Sequence, residues 1–219
     1  MKLESGWVPV ALSSQIEPGT STGAVVEGFE VVVWRDNGGK AHVWEDRCPH
    51  RGMRLSFGFV RGDHIACLYH GWQYDAAGQC RYIPAHPTLE VPQTIKVPIY
   101  KVAEKLGIVW ATAAEDAVLP DMAEPSDLAS LRSLYVDCPV GDLESAISSY
   151  GFVGGNSGSI AVEGMPLFVA LQSVGPERSG LHISVLASPG AETLKKLARW
   201  AERLRFSLES PELAAAEVA

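Results

Sequence analysis

Long apolar runs are missing from this chain. Nowhere in its 219 residues do eighteen apolar ones follow each other, which argues against a membrane-spanning helix. The opening Met1-Lys2-Leu3-Glu4-Ser5 has no apolar core of the signal-peptide kind, so a cytoplasmic protein is expected. Cysteine is scarce: there are four, and nothing visibly pairs Cys80 with Cys138, which read as free thiols of a reducing compartment. Positive charge is short in the second half. Residues 1–112 hold 11 basic and 11 acidic side chains, whereas 113–219 hold 7 and 15, within a net charge of −8. That balance argues against nucleic acid as a partner and gives no special reason to invoke a membrane. Histidine is rare as well: only His182 lies beyond residue 86.

What is present gathers between Cys48 and Trp72. Cys48-Pro49-His50-Arg51-Gly52 is followed, after Ala66, by Cys67-Leu68-Tyr69-His70-Gly71-Trp72. Two stretches thus each offer one thiolate and one imidazole, as C-x-H and C-x-x-H. Such donors could serve zinc or an iron–sulfur cluster. Zinc fingers usually order their ligands C, C, H, H around a C-x₂₋₄-C knuckle, and neither stretch here can form a knuckle alone. A [2Fe–2S] cluster with two thiolates on one iron and two imidazoles on the other needs two loops whose Cys converge on one side and whose His converge on the other.

With its flanking Pro49, Arg51, Gly52, Gly71 and Trp72, the pattern resembles the Rieske family. The resemblance implies a [2Fe–2S] cluster held by Cys48, His50, Cys67 and His70. Within the family, respiratory Rieske proteins carry an extra Cys in each loop; Met53 and Tyr69 stand there instead. Trp72 replaces their cluster-bonding Ser. The sequence is similar instead to the Rieske domains of ring-hydroxylating and demethylating oxygenases. Fewer hydrogen bonds to the sulfides imply a potential low in the range of about −150 to +300 mV.

The first half reads as short strands separated by turns. Phe29–Trp34 and Ala41–Trp44 flank Asp36-Asn37-Gly38-Gly39 as a hairpin, and Phe57–Val60 and His64–Ala66 flank Arg61-Gly62-Asp63. Gln73-Tyr74 and Cys80–Tyr82 form a third hairpin, and residues 99–103 and 107–110 close the set. The resemblance covers about residues 5–112, and it implies a Rieske-type antiparallel β domain with both ligand loops at the tip of a small subdomain. Near those loops, Arg51 and Arg54 read as residues that assist docking or tune the cluster or as surface ion pairs, Trp72 as packed core ahead of a part in electron transfer, Cys80 as a packed thiol, and Tyr69 as a shield or a hydrogen-bonding neighbour of the cluster. His42, His64 and His86 read as structural or solvated.

After a linker over 113–130, residues 131–219 read as a small α+β unit. Strands are expected over 133–138, 159–162, 167–174 and 181–187, with a short helix from Asp142. An amphipathic helix should run from Pro189, capped by Ser188, to about Glu209. In the resembling oxygenases a helix-grip catalytic domain follows the Rieske domain, and its mononuclear iron takes two His and a carboxylate. Residues 141–150, where the family places the His pair, contain none; Asp142 and Glu144 alone cannot supply a triad. The fold class implied is mainly β: a Rieske domain followed by a shortened remnant of a helix-grip domain.

The leading expectation is an electron-transfer component, receiving electrons from a reductase or ferredoxin and passing them to a catalytic oxygenase subunit, in a homo- or hetero-oligomer. Two other readings stand beside it. One is a self-contained oxidoreductase with an unconventional metal site built on His182 and carboxylates; the other is a redox-responsive binding protein.

Overall fold

The computed structural model describes residues 3, 6–119 and 122–212. Expectations for Met1–Ser5, for linker residues 120–121 and for the tail beyond 212 therefore fall, apart from residue 3, outside the described residues. The chain divides into two compact units, Met1–Glu104 with Val109–Leu119, and Lys105–Ile108 with Pro120–Ala219. No helix among the described residues is long and apolar enough to cross a membrane.

The first unit holds a six-stranded antiparallel sheet. Its strands are β1 (Val8–Leu12), β2 (Ser21–Val26), β3 (Phe29–Arg35), β4 (Ala41–Glu45), β9 (Ile99–Lys105) and β10 (Ile108–Thr112), in the order β1-β10-β9-β4-β3-β2. The continuous apolar run of β3 is explained by burial on both faces. Val31 and Val33 enter one core with Val10, Val43 and Val109, while Val32 and Trp34 enter a second with Trp44, Ile65 and Tyr74. That second core supports a smaller antiparallel sheet of β5 (Phe59–Arg61), β6 (His64–Ala66), β7 (Gln73–Asp75) and β8 (Cys80–Tyr82). The three expected hairpins are present. β2 was not foreseen, because Gly23 and the small residues around it give only a weak strand pattern.

The second unit is one four-stranded antiparallel sheet and two helices. β11 (Ala129–Val136), β12 (Ser157–Val162), β13 (Met165–Gly175) and β14 (Arg178–Val185) run in the order β11-β14-β13-β12. β13 and β14 close with Gly175 opposite Arg178, a tighter turn than the six-residue one expected. α1 (Val140–Ser148) buries Leu143 and Ile147; α2 (Ala191–Glu209) buries Leu197, Trp200, Ala201 and Leu204 in the same core. Helix α2 starts two residues beyond the expected Pro189, with Gly190 rather than Ser188 at its cap. The apolar spacing of α2 predicts its buried side well, since burial rather than capping decides a helix of this length.

Candidate metal centre

The four donor residues sit in two loops that share one backbone frame. Loop 1 joins β4 to β5, and loop 2 joins β6 to β7. In loop 1 the Cys48 N–H donates to the Met53 carbonyl and the Gly52 N–H to the Cys48 carbonyl, both at 2.8 Å. In loop 2 the Cys67 N–H donates to the Trp72 carbonyl and the Gly71 N–H to the Cys67 carbonyl, both at 2.9 Å. Each frame needs a left-handed residue at its fifth position, and Gly52 (φ 73°) and Gly71 (φ 69°) supply it at low cost. The glycines flanking both motifs are thus explained by local geometry.

Two further contacts hold the loops in place. Asp46, 3% exposed, accepts from the Ser56 amide at 2.7 Å and from the Ser56 hydroxyl at 2.5 Å, clamping the base of loop 1. At Gly58 a Cβ would stand 2.3 Å from the Ala66 carbonyl oxygen. Only glycine permits this approach, which lays the exit of loop 1 against the entry to loop 2.

The loops bring thiols together on the inside and imidazoles together on the outside. Cys48 and Cys67 are each 2% exposed and their sulfurs are hydrogen-bonded to one another. That contact, with the Tyr74 hydroxyl 3.1 Å from Cys48 Sγ, draws the Cys48 thiol down to about 6. The same contact, together with burial, pushes Cys67 up. Towards the surface the His50 and His70 rings lie 4.5 Å apart between centroids, and His50 stacks on Trp72 at 4.3 Å and 4°. Tyr69 covers the other ring, 4.0 Å from His70.

This geometry can be tested for its fit to a two-iron cluster. His50 Nδ1 is buried and has no hydrogen-bond partner, a costly state for a ring nitrogen unless a metal takes its lone pair. A tetrahedral zinc site would gather all four donors round one point. Here they separate into a buried thiol pair and an outer imidazole pair, the two-and-two division a [2Fe–2S] centre of mixed ligation requires. Among the described residues no three His, Cys, Asp or Glu side chains converge on a single ion position. The donor set fits the cluster.

Three contributors were not foreseen from sequence. Tyr74 comes from β7 and Asp46 pairs with Ser56 across ten residues, so neither carries a spacing signal. Gly58 stands outside both motifs. Trp72, expected as core, is half-buried and stacks directly on a donor ring. Arg54 engages Glu30 and lies over the Phe57 ring, the surface ion pair already considered. Cys80 is a packed thiol, 1% exposed. His42, 5% exposed, stacks on Trp34 and pairs with Asp36; His64 meets Asp63 and Arg81.

His182 lies in the middle of the second unit's sheet and is fully buried. Ser133, directly opposite on β11, donates its hydroxyl to Nδ1 at 2.8 Å, and Nε2 donates to Gln172 Oε1 at 2.8 Å. Both ring nitrogens are therefore engaged, and burial holds the group neutral by lowering its pKa to about 4. Gly180 lies opposite Gln172 on the neighbouring strand and leaves room for its side chain, where a Cβ would stand 3.3 Å from Gln172 Oε1.

Comparison with known proteins agrees with this geometry. The Rieske [2Fe-2S] domain family matches residues 6–101. The oxidoreductase NdmD of Pseudomonas putida is 37% identical over 110 residues, 50% of this chain and 19% of that protein. The oxygenase subunit of 3-chlorobenzoate-3,4-dioxygenase from Comamonas testosteroni is 35% identical over 118 residues, 53% and 27% of the two chains. The chain thus matches well under a third of the length of these relatives. Among solved structures, dicamba monooxygenase bound to dicamba superposes with a TM-score of 0.78 over 99% of this chain and 89% of that one, at 17% identity. At that identity the likeness speaks to fold alone. The fold, the paired loops and the family match agree on one conclusion: residues 6–101 of this chain form a Rieske [2Fe–2S] domain, similar to those of the oxidoreductase and the dioxygenase oxygenase subunit above.

Proposed function

We propose that Cys48 and Cys67 hold one iron of the cluster through their thiolates and His50 and His70 the other through imidazole nitrogens. The chain then accepts single electrons from a reductase or ferredoxin and passes them to a catalytic iron on a partner polypeptide of an oxygenase system. The observation that carries this reading is the sorting of donors: buried sulfurs meet each other, while outer imidazoles meet each other and His50 Nδ1 lacks any other partner. When bound, the cluster supplies a one-electron carrier. The protein's own groups do the rest. Tyr74 directs a hydroxyl at Cys48, the core around Tyr74, Trp44 and Ile65 keeps water from the sulfurs, and the histidine edge is left towards solvent, where a donor or acceptor can approach.

A catalytic iron on this same chain is disfavoured. His182 has both nitrogens occupied by Ser133 and Gln172, and the stretch 141–150 holds no histidine. The test is elemental and spectroscopic. Purified protein should contain two irons and two acid-labile sulfides per chain, and dithionite should develop a Rieske EPR signal. Zinc in place of iron in protein made with ample iron would overturn the ligand assignment. A third tightly held iron, lost in His182→Ala while the cluster stays, would replace the electron-carrier reading with that of a self-contained oxygenase.

A further inference from the structure

Beside Cys48 and His50 the surface is concave and positively charged. A hollow of about 380 Å³ reaches both residues and is walled by Arg47, Arg51 and Lys96, with Glu45, Pro49 and Pro98. Four cations of the first unit are committed elsewhere: Arg35 to Glu104, Arg54 to Glu30, Arg81 to Asp63, and Lys101 to the Glu115 carbonyl. Among the described residues Arg47, Arg51 and Lys96 form no ion pair, and all three are exposed. Their positions are fixed by backbone. A bridge between Gln79 and Lys96, the Val97 N–H on the Gly78 carbonyl at 2.8 Å and the Glu45 N–H on the Pro98 carbonyl at 3.0 Å stitch the Lys96 segment beside loop 1. Arg47 lies along the loop, its Nε 3.3 Å from where a Cβ on Gly52 would be.

Three free cations and one carboxylate around a hollow make a local positive field on a chain of net charge −8. The negative excess lies in residues 113–219, so an acidic macromolecule is repelled there and drawn to this face, which steers and orients it. The loop 2 side differs: Leu68 and Tyr69 are 49% and 56% exposed and carry no charge. We propose that the Arg47/Arg51/Lys96 hollow is the docking face for the chain's electron donor, and that this donor is a small protein presenting carboxylates. The inference rests on the electron-carrier reading above and names its partner. In the docked complex one electron leaves the donor's reduced centre and one ferric ion of the cluster becomes ferrous; no bond is made or broken. Complexes of this kind are small and short-lived, held by charge more than by apolar area.

The test uses the intact cluster-loaded protein and a strongly acidic plant-type [2Fe–2S] ferredoxin as probe. Binding is read by surface plasmon resonance and electron transfer by stopped flow, each across a salt series. Three variants are compared: Arg51→Glu, Lys96→Glu, and Lys40→Glu at the opposite end of β4. At low salt the first two should weaken binding about tenfold or more, while the third changes it less than twofold, and high salt should erase the difference. Lys96→Glu keeps the test sound should Arg51→Glu disturb its neighbour His50. Salt-independent or absent binding by the unaltered protein would overturn the docking face, as would equal loss in all three variants. Iron, sulfide and EPR on every sample separate the two readings. No Rieske signal would remove the electron carrier, whereas a full signal with a flat charge response removes only the docking face.

Discussion

His50 and His182 are the same side chain in opposite surroundings, one in each unit. His50 is half-buried, flat against Trp72, beside a second imidazole, and its Nδ1 meets no protein group. His182 is fully buried with Ser133 on one nitrogen and Gln172 on the other. The first keeps a ring nitrogen clear of other protein groups, and the second is consumed by the fold. Burial alone would mark His182 as the special residue; the unsatisfied nitrogen marks His50.

The largest effect should come from exchanging one for the other as targets. His50→Ala should abolish the Rieske EPR signal or leave a cluster that is lost on gel filtration, with far-UV circular dichroism little changed. His182→Ala should keep the signal while destabilising the second unit by about 2–4 kcal/mol in urea unfolding, through a cavity and two stranded polar groups. A retained signal in the first variant, or a lost one in the second, would reverse the assignment of roles.

Next is the response to acid. The folded pKa of His182 is lowered to about 4 by burial, below its unfolded value of about 6.5. Between those values the unfolded chain binds a proton that the folded chain refuses, so stability rises with pH and is lost as pH falls through this window. From pH 7 to 5 the expected loss is about 2 kcal/mol, flattening below about 4. His182→Gln should abolish most of that slope in urea unfolding of the second unit. An unchanged slope would place the acid sensitivity elsewhere.

A smaller effect should follow removal of the Tyr74 hydroxyl. A hydrogen bond to a thiolate ligand stabilises the reduced, more negative cluster. Tyr74→Phe should therefore lower the midpoint potential by some tens of millivolts, on the order of 1 kcal/mol for one electron. Voltammetry measures this directly, and a potential that rises or holds still would refute it. Smallest of all is Arg54→Ala. Both partners of its ion pair are about half exposed, with side-chain exposures of 48% and 45%, so unfolding free energy should change by no more than about 1 kcal/mol.

Legibility from sequence followed how local the cause was. The meeting of the two loops' side chains could be read because Cys48, His50 and Gly52 lie within five residues and Cys67, His70 and Gly71 do likewise, each loop being closed by its own backbone. The hairpins could be read because their turns carry Gly and Asp at positions demanding them, as with Gly39 (φ 90°) and Gly78 (φ 76°). The Tyr74–Cys48 contact, the Asp46–Ser56 clamp and the Ser133–His182–Gln172 chain were hidden, since each joins residues brought together by the fold. For His182 the partner on β11 is 49 residues away, and no spacing announces it. The cap of α2 was misplaced because Ser188-Pro189 offers a stronger local signal than Gly190, which the helix uses.

In the shared frame of the two loops, local and long-range causes are separable. Each loop is closed by hydrogen bonds between residues four and five apart in the chain, so its shape is a property of that short stretch. The Gly58 approach and the Asp46–Ser56 clamp set the loops side by side through protein contacts alone. The arrangement of the donors thus has two separable sources, one inside each loop and one between the loops. A substitution inside one loop should disturb that loop's own donor pair, whereas one at Gly58 or Asp46 should shift the two loops against each other.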